Sequence, residues 1–224
     1  MNRKIAATGI SMFAVVGAIL MFPGAIAMGG DPLDIKAYNI LEDADNDIHT
    51  AAITTHGTIV SDGTDGAFGY GIFLASGDLL VSTTHGGFYD SETQTSFNPE
   101  PVWHNHIVAL QADTSTHCAA PGLEVADLTF ESPGVVKIVN DRVRITNVDS
   151  GSYNGQLFNT GLSQDGFDTN MGGQVVSFTL RPIDSAGNVE LDAGEWAHVC
   201  VENVNIEQDT TPRTSQLTQT VGRP

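Results

Sequence analysis

The sequence predicts an all-β protein, an antiparallel β-sandwich of jelly-roll type or a barrel, that follows an N-terminal signal helix. Beyond the first 27 residues the chain is rich in Thr, Val, Ile, Gly, Asn and Asp, which favour strands and turns. Apolar residues there alternate with polar ones or come in short runs, and turn residues separate the runs. Helical periodicity is nearly absent from this part of the chain.

The first 27 residues have the pattern of an export signal. Arg3 and Lys4 form a short basic start, an apolar run extends from residue 5 to about residue 22, and Ala25-Ile26-Ala27 resembles a cleavage site. The run is about as long as the shortest helix that spans a bilayer, so an uncleaved membrane anchor is the alternative. Pro23 and the Ala-x-Ala exit favour cleavage. We therefore expect export to the extracellular side, a periplasm-like space or the cell surface.

Residues 28–205 have the length and pattern of a single β-domain, and residues 206–224 are expected to form a polar tail. Without Arg3 and Lys4 the chain has seven basic residues against 27 acidic ones. So acidic a protein is unsuited to nucleic acid or to an anionic lipid surface, because both are polyanions. The acidity suits the attraction of cations, although surface solvation alone also explains it.

Turn signals separate the candidate strands along the chain. The segments with strand patterns are 34–41, 53–60, 67–75, 79–84, 102–111, 123–131, 135–139, 142–148, 174–182 and 189–204. Asn140-Asp141 predicts a tight hairpin, because both residues tolerate positive φ. Gly69-Tyr70-Gly71 interrupts an apolar strand and indicates a bulge or close packing. The polar stretch 149–173 is expected to be a long surface excursion.

Cys118 and Cys200 are the two cysteines of the chain. An even number of cysteines in an exported protein predicts a disulfide. Two thiolate metal ligands are the alternative, but no Cys-x-x-Cys pair supports zinc, and the Cys, His and Met spacing of a blue-copper site is missing. A disulfide would bring His117 and His198 into one neighbourhood, since each lies within two residues of a bonded cysteine.

The sharpest local motif is the His-x-His sequence at residues 104–106. Side chains at positions i and i+2 of a strand point to the same face, about 7 Å apart at the backbone. His104 and His106 would therefore project together and could chelate Cu²⁺ or Zn²⁺. The candidates for further ligands are His85, which we favour, His117 and His198. The same face also carries apolar residues, so histidines that only pack at the edge of the core are the alternative.

Calcium is the less favoured cation. Asp43-Ala44-Asp45-Asn46-Asp47 alternates carboxylates as oxygen-ligand loops do, and residues 62–66 form a second acidic turn. The first loop departs from the EF-hand pattern, because Ile48 stands in place of the required glycine and Thr54 in place of the closing glutamate. Ordinary Asx turns are the favoured interpretation of both segments.

Two functions from different classes remain open on the sequence alone. The first is an exported Cu- or Zn-binding β-domain, as a carrier or as an enzyme supported by the metal. The second is a non-catalytic interaction or structural module at the cell surface, which the acidic surface and polar loops suggest. The Gly-x-Ser-x-Gly motif of many hydrolases is absent, and no sequence context marks a serine as a nucleophile.

Overall fold

The computed structural model describes residues 30–61, 66–85, 103–130, 132–155, 161–166, 174–189 and 198–208. The regular elements of these residues are strands β1 (Ile35–Glu42), β2 (Ile48–Thr55), β3 (Ala67–Phe73), β4 (Leu79–His85), β5 (His104–Ala112), β6 (Leu123–Leu128), β7 (Val135–Val139), β8 (Arg142–Val148), β9 (Gly151–Asn154), β10 (Gly161–Gln164), β11 (Gln174–Ile183) and β12 (His198–Gln208). The antiparallel all-β prediction is confirmed. The signal segment lies outside the described residues, as does most of the predicted tail.

Among the described residues, no helix has both the length and the apolar character needed to cross a membrane.

Six strands close into a barrel in the order β11-β12-β6-β5-β4-β3. Strands β3 to β6 form an antiparallel meander, and the β11–β12 pair closes the barrel by joining β6 on one side and β3 on the other. Apolar side chains from all six strands fill the interior: Phe73, Leu79, Val81, Val108, Leu123, Val125, Val176, Phe178 and Val201. A barrel of this size is filled by side chains rather than left as a pore.

Two glycines of β3 make room in this narrow interior. A Cβ atom at Gly69 would lie 3.1 Å from Cζ of Phe178, and one at Gly71 would lie 3.1 Å from Cγ2 of Val176. Tyr70 between them is fully buried on the other side of the strand, in the second core. The close-packing interpretation of this glycine pair is therefore confirmed.

A four-stranded antiparallel sheet, in the order β1-β2-β8-β7, packs against the outer face of the barrel. Its inward residues, such as Ile40, Ile53 and Ile145, share a core with Ile72 and Ile107 from the barrel strands. Because successive residues of a strand point to opposite faces, the strands β3 to β5 supply side chains to both cores. This explains why β3 is buried along its whole length.

The second strand differs from its prediction, since it covers Ile48–Thr55 instead of residues 53–60. Ile48, Ala51 and Ile53 are its buried apolar residues, and the polar residues between them hid the start of the strand. The chain leaves the strand before Gly57, where another part of the backbone packs closely. A Cβ atom at Gly57 would lie 2.2 Å from the carbonyl oxygen of Gly30.

The stretch 149–173 contains a hairpin that the sequence analysis did not predict. Strand β9 pairs with β10, and Leu162 of β10 is buried in the core that the sheet shares with the barrel. Short strands rich in Gly and Ser give little alternation to detect. By contrast, the β7–β8 hairpin is confirmed, with Asn140 in its turn at φ 55°. Strand β12 ends at Gln208, three residues beyond the expected end of the domain.

Candidate functional site

His104 and His106 lie at the start of β5 and face the interior of the barrel. Val108, on the same face of β5, belongs to the interior core, whereas Ile107 packs in the core beneath the four-stranded sheet. His104 is 2% exposed and His106 is 4% exposed. Their ring centroids are 4.7 Å apart, with the planes at 88°. The two imidazoles thus project together, as expected from the spacing of residues along a strand.

The backbone carbonyl of Thr129 orients the ring of His106. Its Nδ1 atom lies 2.5 Å from the carbonyl oxygen of Thr129. A carbonyl oxygen only accepts hydrogen bonds, so Nδ1 donates and the lone pair of the neutral ring is on Nε2. Thr129 is itself held by Ile107, whose amide donates to Thr129 Oγ1 at 3.1 Å and whose carbonyl accepts from Thr129 N at 3.1 Å. Metal-binding imidazoles are usually oriented in this way through their second nitrogen.

Asn105, the middle residue of the motif, has a structural role on the opposite face of β5. It is fully buried, and its Nδ2 atom donates to the carbonyl oxygen of Pro133 at 2.9 Å. Its amide donates to Ser132 Oγ at 3.0 Å, and the Ser82 hydroxyl bonds its side-chain oxygen. These bonds fix the beginning of β5 and hence the backbone that carries both histidines.

Strand β4 lies beside the two histidines. Val81 is opposite His106 and Thr83 is opposite His104. His85 is the last residue of β4, two positions beyond Thr83. The side chain of His85 lies outside the described residues. Its backbone is nevertheless at the end of the barrel where β5 begins.

The two cysteines form a disulfide, with their Cα atoms 5.3 Å apart. The predicted Cys118–Cys200 pair is therefore observed. Cys118 lies in the loop between β5 and β6, and Cys200 lies in β12 opposite Glu124 of β6. Val201, next to Cys200, belongs to the interior core, so Cys200 is on the outer face of the barrel wall.

Glu124 is the centre of a hydrogen-bonded cluster beside the disulfide. Its side chain is buried, and its Oε2 atom lies 2.6 Å from Nδ1 of His198. Its Oε1 atom accepts hydrogen bonds from Gln111 Nε2 at 2.6 Å and from Thr114 Oγ1 at 2.8 Å. Sequence reasoning missed Glu124, although its position between the interior residues Leu123 and Val125 marks it as outward-facing.

One group of three possible ligand atoms occurs in the described ranges, in Asp113, Cys118 and Glu124, all within 4.8 Å of one another. The sulfur of Cys118 is bonded in the disulfide, so it is not a thiolate. Asp113 accepts hydrogen bonds from Ser115 and from the amide of Cys118. Both carboxylates are thus engaged in hydrogen bonds that hold the loop between β5 and β6.

The five candidate histidines do not gather in one place. His198 pairs with Glu124 on the outer wall, while His104 and His106 face the interior. His117 is exposed, and a Cβ atom at Gly187 in the β11–β12 turn would lie 2.7 Å from its ring. Among the residues that the structure describes, no group of three ligand atoms within 4.8 Å includes a histidine.

The acidic segment 43–47 is an Asx turn between β1 and β2. Oδ1 of Asp43 accepts hydrogen bonds from the amides of Asp45 at 2.9 Å and Asp47 at 3.1 Å. Oδ2 of Asp43 pairs with His49 Nε2 at 3.1 Å, and Asp47 accepts from the amide of Ser150 at 2.6 Å. The segment thus has the hydrogen bonds of an Asx turn. Residues 62–65 of the second acidic turn lie outside the described residues.

Comparison of the chain with family models, with curated proteins and with solved structures gave no match.

Proposed function

We propose that this protein is an exported domain that binds a divalent transition metal, Cu²⁺ or Zn²⁺, through His104 and His106. The observation that supports the proposal is the buried imidazole pair, with ring centroids 4.7 Å apart and with Nδ1 of His106 held by a carbonyl oxygen. This arrangement presents Nε2 of His106 on a ring that cannot turn freely. Imidazole nitrogen is a ligand that both metals accept.

His85 is the third ligand in this proposal. It ends β4, and β4 pairs with β5 in a register that sets Thr83 opposite His104. A site built at these strand ends lies at one end of the barrel. Three imidazoles with one open position suit a metal that exchanges a ligand or activates water. Carrier and metal-supported catalyst are both compatible with such a site.

The metal content of purified full-length chain tests the proposal. After loading with Cu²⁺ or Zn²⁺ and dialysis, we expect about one ion per chain, and nitrogen hyperfine coupling in the Cu²⁺ electron paramagnetic resonance spectrum. The critical variant is His106→Asn, since asparagine can keep the donor to Thr129 but lacks Nε2. We expect it to fold and to bind the metal more than tenfold more weakly.

A matched control removes two histidines from elsewhere. His49 and His56 are exposed and lie outside the barrel, so His49→Ala with His56→Ala should leave the stoichiometry unchanged. Equal metal binding by the wild type and His106→Asn would refute the proposal, as would an absence of bound metal after loading. Circular dichroism melting of each variant separates lost ligation from lost folding.

A non-catalytic interaction module is the second candidate. The observation that favours it is the segregation of charge on the four-stranded sheet, where exposed basic residues collect at one end of an otherwise acidic protein. This role uses a different surface from the histidine pair. A chain that takes up no metal would leave this role as the one to pursue.

A further inference from the structure

The basic residues of this acidic chain are concentrated on one sheet. The protein has nine Lys and Arg residues against 27 Asp and Glu residues, a net charge of −18. Five of the basic residues lie in the described ranges, and four of these five are exposed residues of the β1-β2-β8-β7 sheet. We call these four the basic face: Lys36, Lys137, Arg142 and Arg144.

Cross-strand pairing brings the basic face together. Lys137 of β7 is directly opposite Arg144 of β8, and the edge residue Val139 is opposite Arg142. The residues between them, such as Val143, are buried in the core beneath the sheet, so the charged side chains are on the outer side. Lys36 lies near the start of β1, at the same end of the sheet as Arg142. Thr54 of β2 lies between them, because it is paired with Ala37 of β1 and with Arg142 of β8.

In the described part of the chain none of the four residues of the basic face forms an ion pair within 4.0 Å, although Asp34 and Asp141 lie at the same end of the sheet. Like charges directly opposite one another in a sheet, as at Lys137 and Arg144, are destabilising. Two exposed valines accompany them, Val135 at 58% and Val139 at 48%. A surface with this destabilising repulsion and with exposed apolar residues is suited to contact with an anionic partner.

The opposite end of the same sheet is acidic. The turn between β1 and β2 carries Asp43, Asp45 and Asp47, and Asp149 follows β8. The two segments are joined because Asp47 accepts a hydrogen bond from the amide of Ser150. This hydrogen bond is the largest cause that lowers the pKa of Asp47, so its carboxylate stays charged. We call this group of four aspartates the acidic end.

The two charged regions are separated along β8, which begins at Arg142 and ends at Val148. Five steps of about 3.3 Å, from Arg144 of the basic face to Asp149 of the acidic end, give a separation of roughly 16 Å. At about 0.15 M ionic strength the Debye length is about 8 Å, so charges at the two ends act on a partner nearly independently. The sheet therefore offers two complementary surfaces, each small and bounded.

We propose that the basic face of one copy docks against the acidic end of a second copy, so that the protein associates head to tail. A polyanionic surface fits less well, because its continuous negative charge would also meet the acidic surface of the remainder of the protein. A second copy presents the four carboxylates of its acidic end, which equal in number the four cations of the basic face. The contact is heterologous, so it builds open chains or rings.

The contact forms through side chains rather than by joining of sheet edges. Strand β7 is at the edge of the sheet, and Lys137 is at its centre. Antiparallel pairing of two β7 strands about this position would set two lysines opposite each other. A lysine in an edge strand is a usual protection against such pairing.

Sedimentation velocity of the full chain over a range of ionic strength tests the proposal. We expect reversible, concentration-dependent association that is strongest near 0.15 M, with about an 8 Å Debye length. It should weaken at about 0.01 M, where the net charges of the two copies repel each other over about 30 Å, and at about 1 M, where the contact itself is screened. A wild-type chain that is monomeric at all three ionic strengths would overturn the proposal.

A charge exchange between the two surfaces provides the decisive comparison. Arg142→Glu with Arg144→Glu reverses two of the four charges of the basic face, and Asp45→Lys with Asp149→Lys reverses two of the four charges of the acidic end. All four side chains are exposed, so we expect both variants to fold. Each alone should associate at least tenfold more weakly than the wild type, and an equimolar mixture should associate again. No recovery in the mixture would overturn the assigned pairing of surfaces.

A second pair of variants separates local charge from net charge. Arg142→Gln with Arg144→Gln makes the net charge more negative by two, as does Ser185→Glu with Ala186→Glu in the exposed β11–β12 turn. Only the first should weaken association. Equal weakening by both would overturn the proposal, as would binding of the monomeric wild type to phosphatidylserine vesicles that is lost with the two arginines.

Discussion

Arg181 and Glu202 are joined by two hydrogen bonds across the β11–β12 pair of the barrel. Oε1 of Glu202 accepts from Nη2 of Arg181 at 2.7 Å and from Nε at 3.0 Å. The same Nη2 atom donates to the carbonyl oxygen of His117 at 2.7 Å, and Glu202 also accepts from the amide of Ala119 at 2.9 Å. The pair thus ties both neighbours of Cys118 to the barrel wall.

Replacement of Glu202 by glutamine should make the stability of the protein less dependent on acid. The hydrogen bond from Arg181 is the largest cause that lowers the pKa of Glu202 below its ordinary value of 4.5. A lowered folded-state pKa stabilises the protein above the unfolded-state pKa, and this contribution is lost as the pH falls through the folded-state value. We expect Glu202→Gln to cost about 1–2 kcal/mol near pH 7. Urea unfolding should show that the difference shrinks in acid, and an equal loss at every pH would contradict this account.

Removal of the disulfide should lower the free energy of unfolding by about 4 kcal/mol, the value of the chain-entropy model for a long closed loop. The bonded cysteines are 82 residues apart in sequence, so the bridge closes more than a third of the chain. The measurement is urea unfolding of Cys118→Ala with Cys200→Ala beside the oxidised wild type. Reduction of the wild type with a dithiol gives an independent value. A loss below about 1 kcal/mol by both routes would show that the unfolded chain is not appreciably restrained by the bridge.

Short apolar runs bounded by turn residues made the barrel strands predictable. Strands β3, β4 and β5 have apolar residues that serve two cores, and their limits in the structure lie close to those expected. The hairpin turn at Asn140 was predictable because few residues adopt positive φ. Closure of the barrel was not predictable, because the pairing of β12 with β6 joins residues that are distant in the sequence.

The candidate site was predictable only in part, for a similar reason. A local rule of strand geometry places His104 and His106 side by side, and the cysteine count led to the disulfide. The partners of these groups come from other parts of the chain. Thr129 acts on His106 through its backbone carbonyl, which has no sequence signal, and Glu124 meets His198 from a different strand.

Asp78 should make the protein less stable as the pH rises. Burial is the main cause that raises the pKa of Asp78 above its ordinary value of 3.8, and the carboxylate of Asp165 raises it further. A raised folded-state pKa favours the folded protein at low pH, and this advantage is lost as the pH rises through the folded-state value. Asp78→Asn can still accept the hydrogen bond that Ser163 N donates to Oδ2 at 2.9 Å.

We therefore expect Asp78→Asn to gain stability relative to the wild type between about pH 3 and about pH 7. Thermal unfolding at several pH values measures the difference. Asp45→Asn is the control, since Asp45 is an exposed aspartate in another turn. The account fails for Asp78 if the two proteins keep a constant difference in Tm over this range, or if the wild type gains on the variant as the pH rises.

Gln164 should be among the polar residues most sensitive to substitution, because it joins the β1–β2 turn, the end of β8 and the chain after β10. The side chain of Gln164 is fully buried. Its Nε2 atom donates to the carbonyl oxygens of Asn46 at 2.8 Å and Val148 at 3.3 Å. Its Oε1 atom accepts from the amide of Gly166 at 2.6 Å. Gln164→Leu removes these bonds and leaves buried backbone groups without partners, at a cost of about 2–4 kcal/mol in urea unfolding. Asn39→Leu, at an exposed position of β1, should change the free energy by less than about 0.5 kcal/mol. Similar small effects in both variants would mean that water replaces the glutamine, and that the β9–β10 hairpin is held mainly by Leu162.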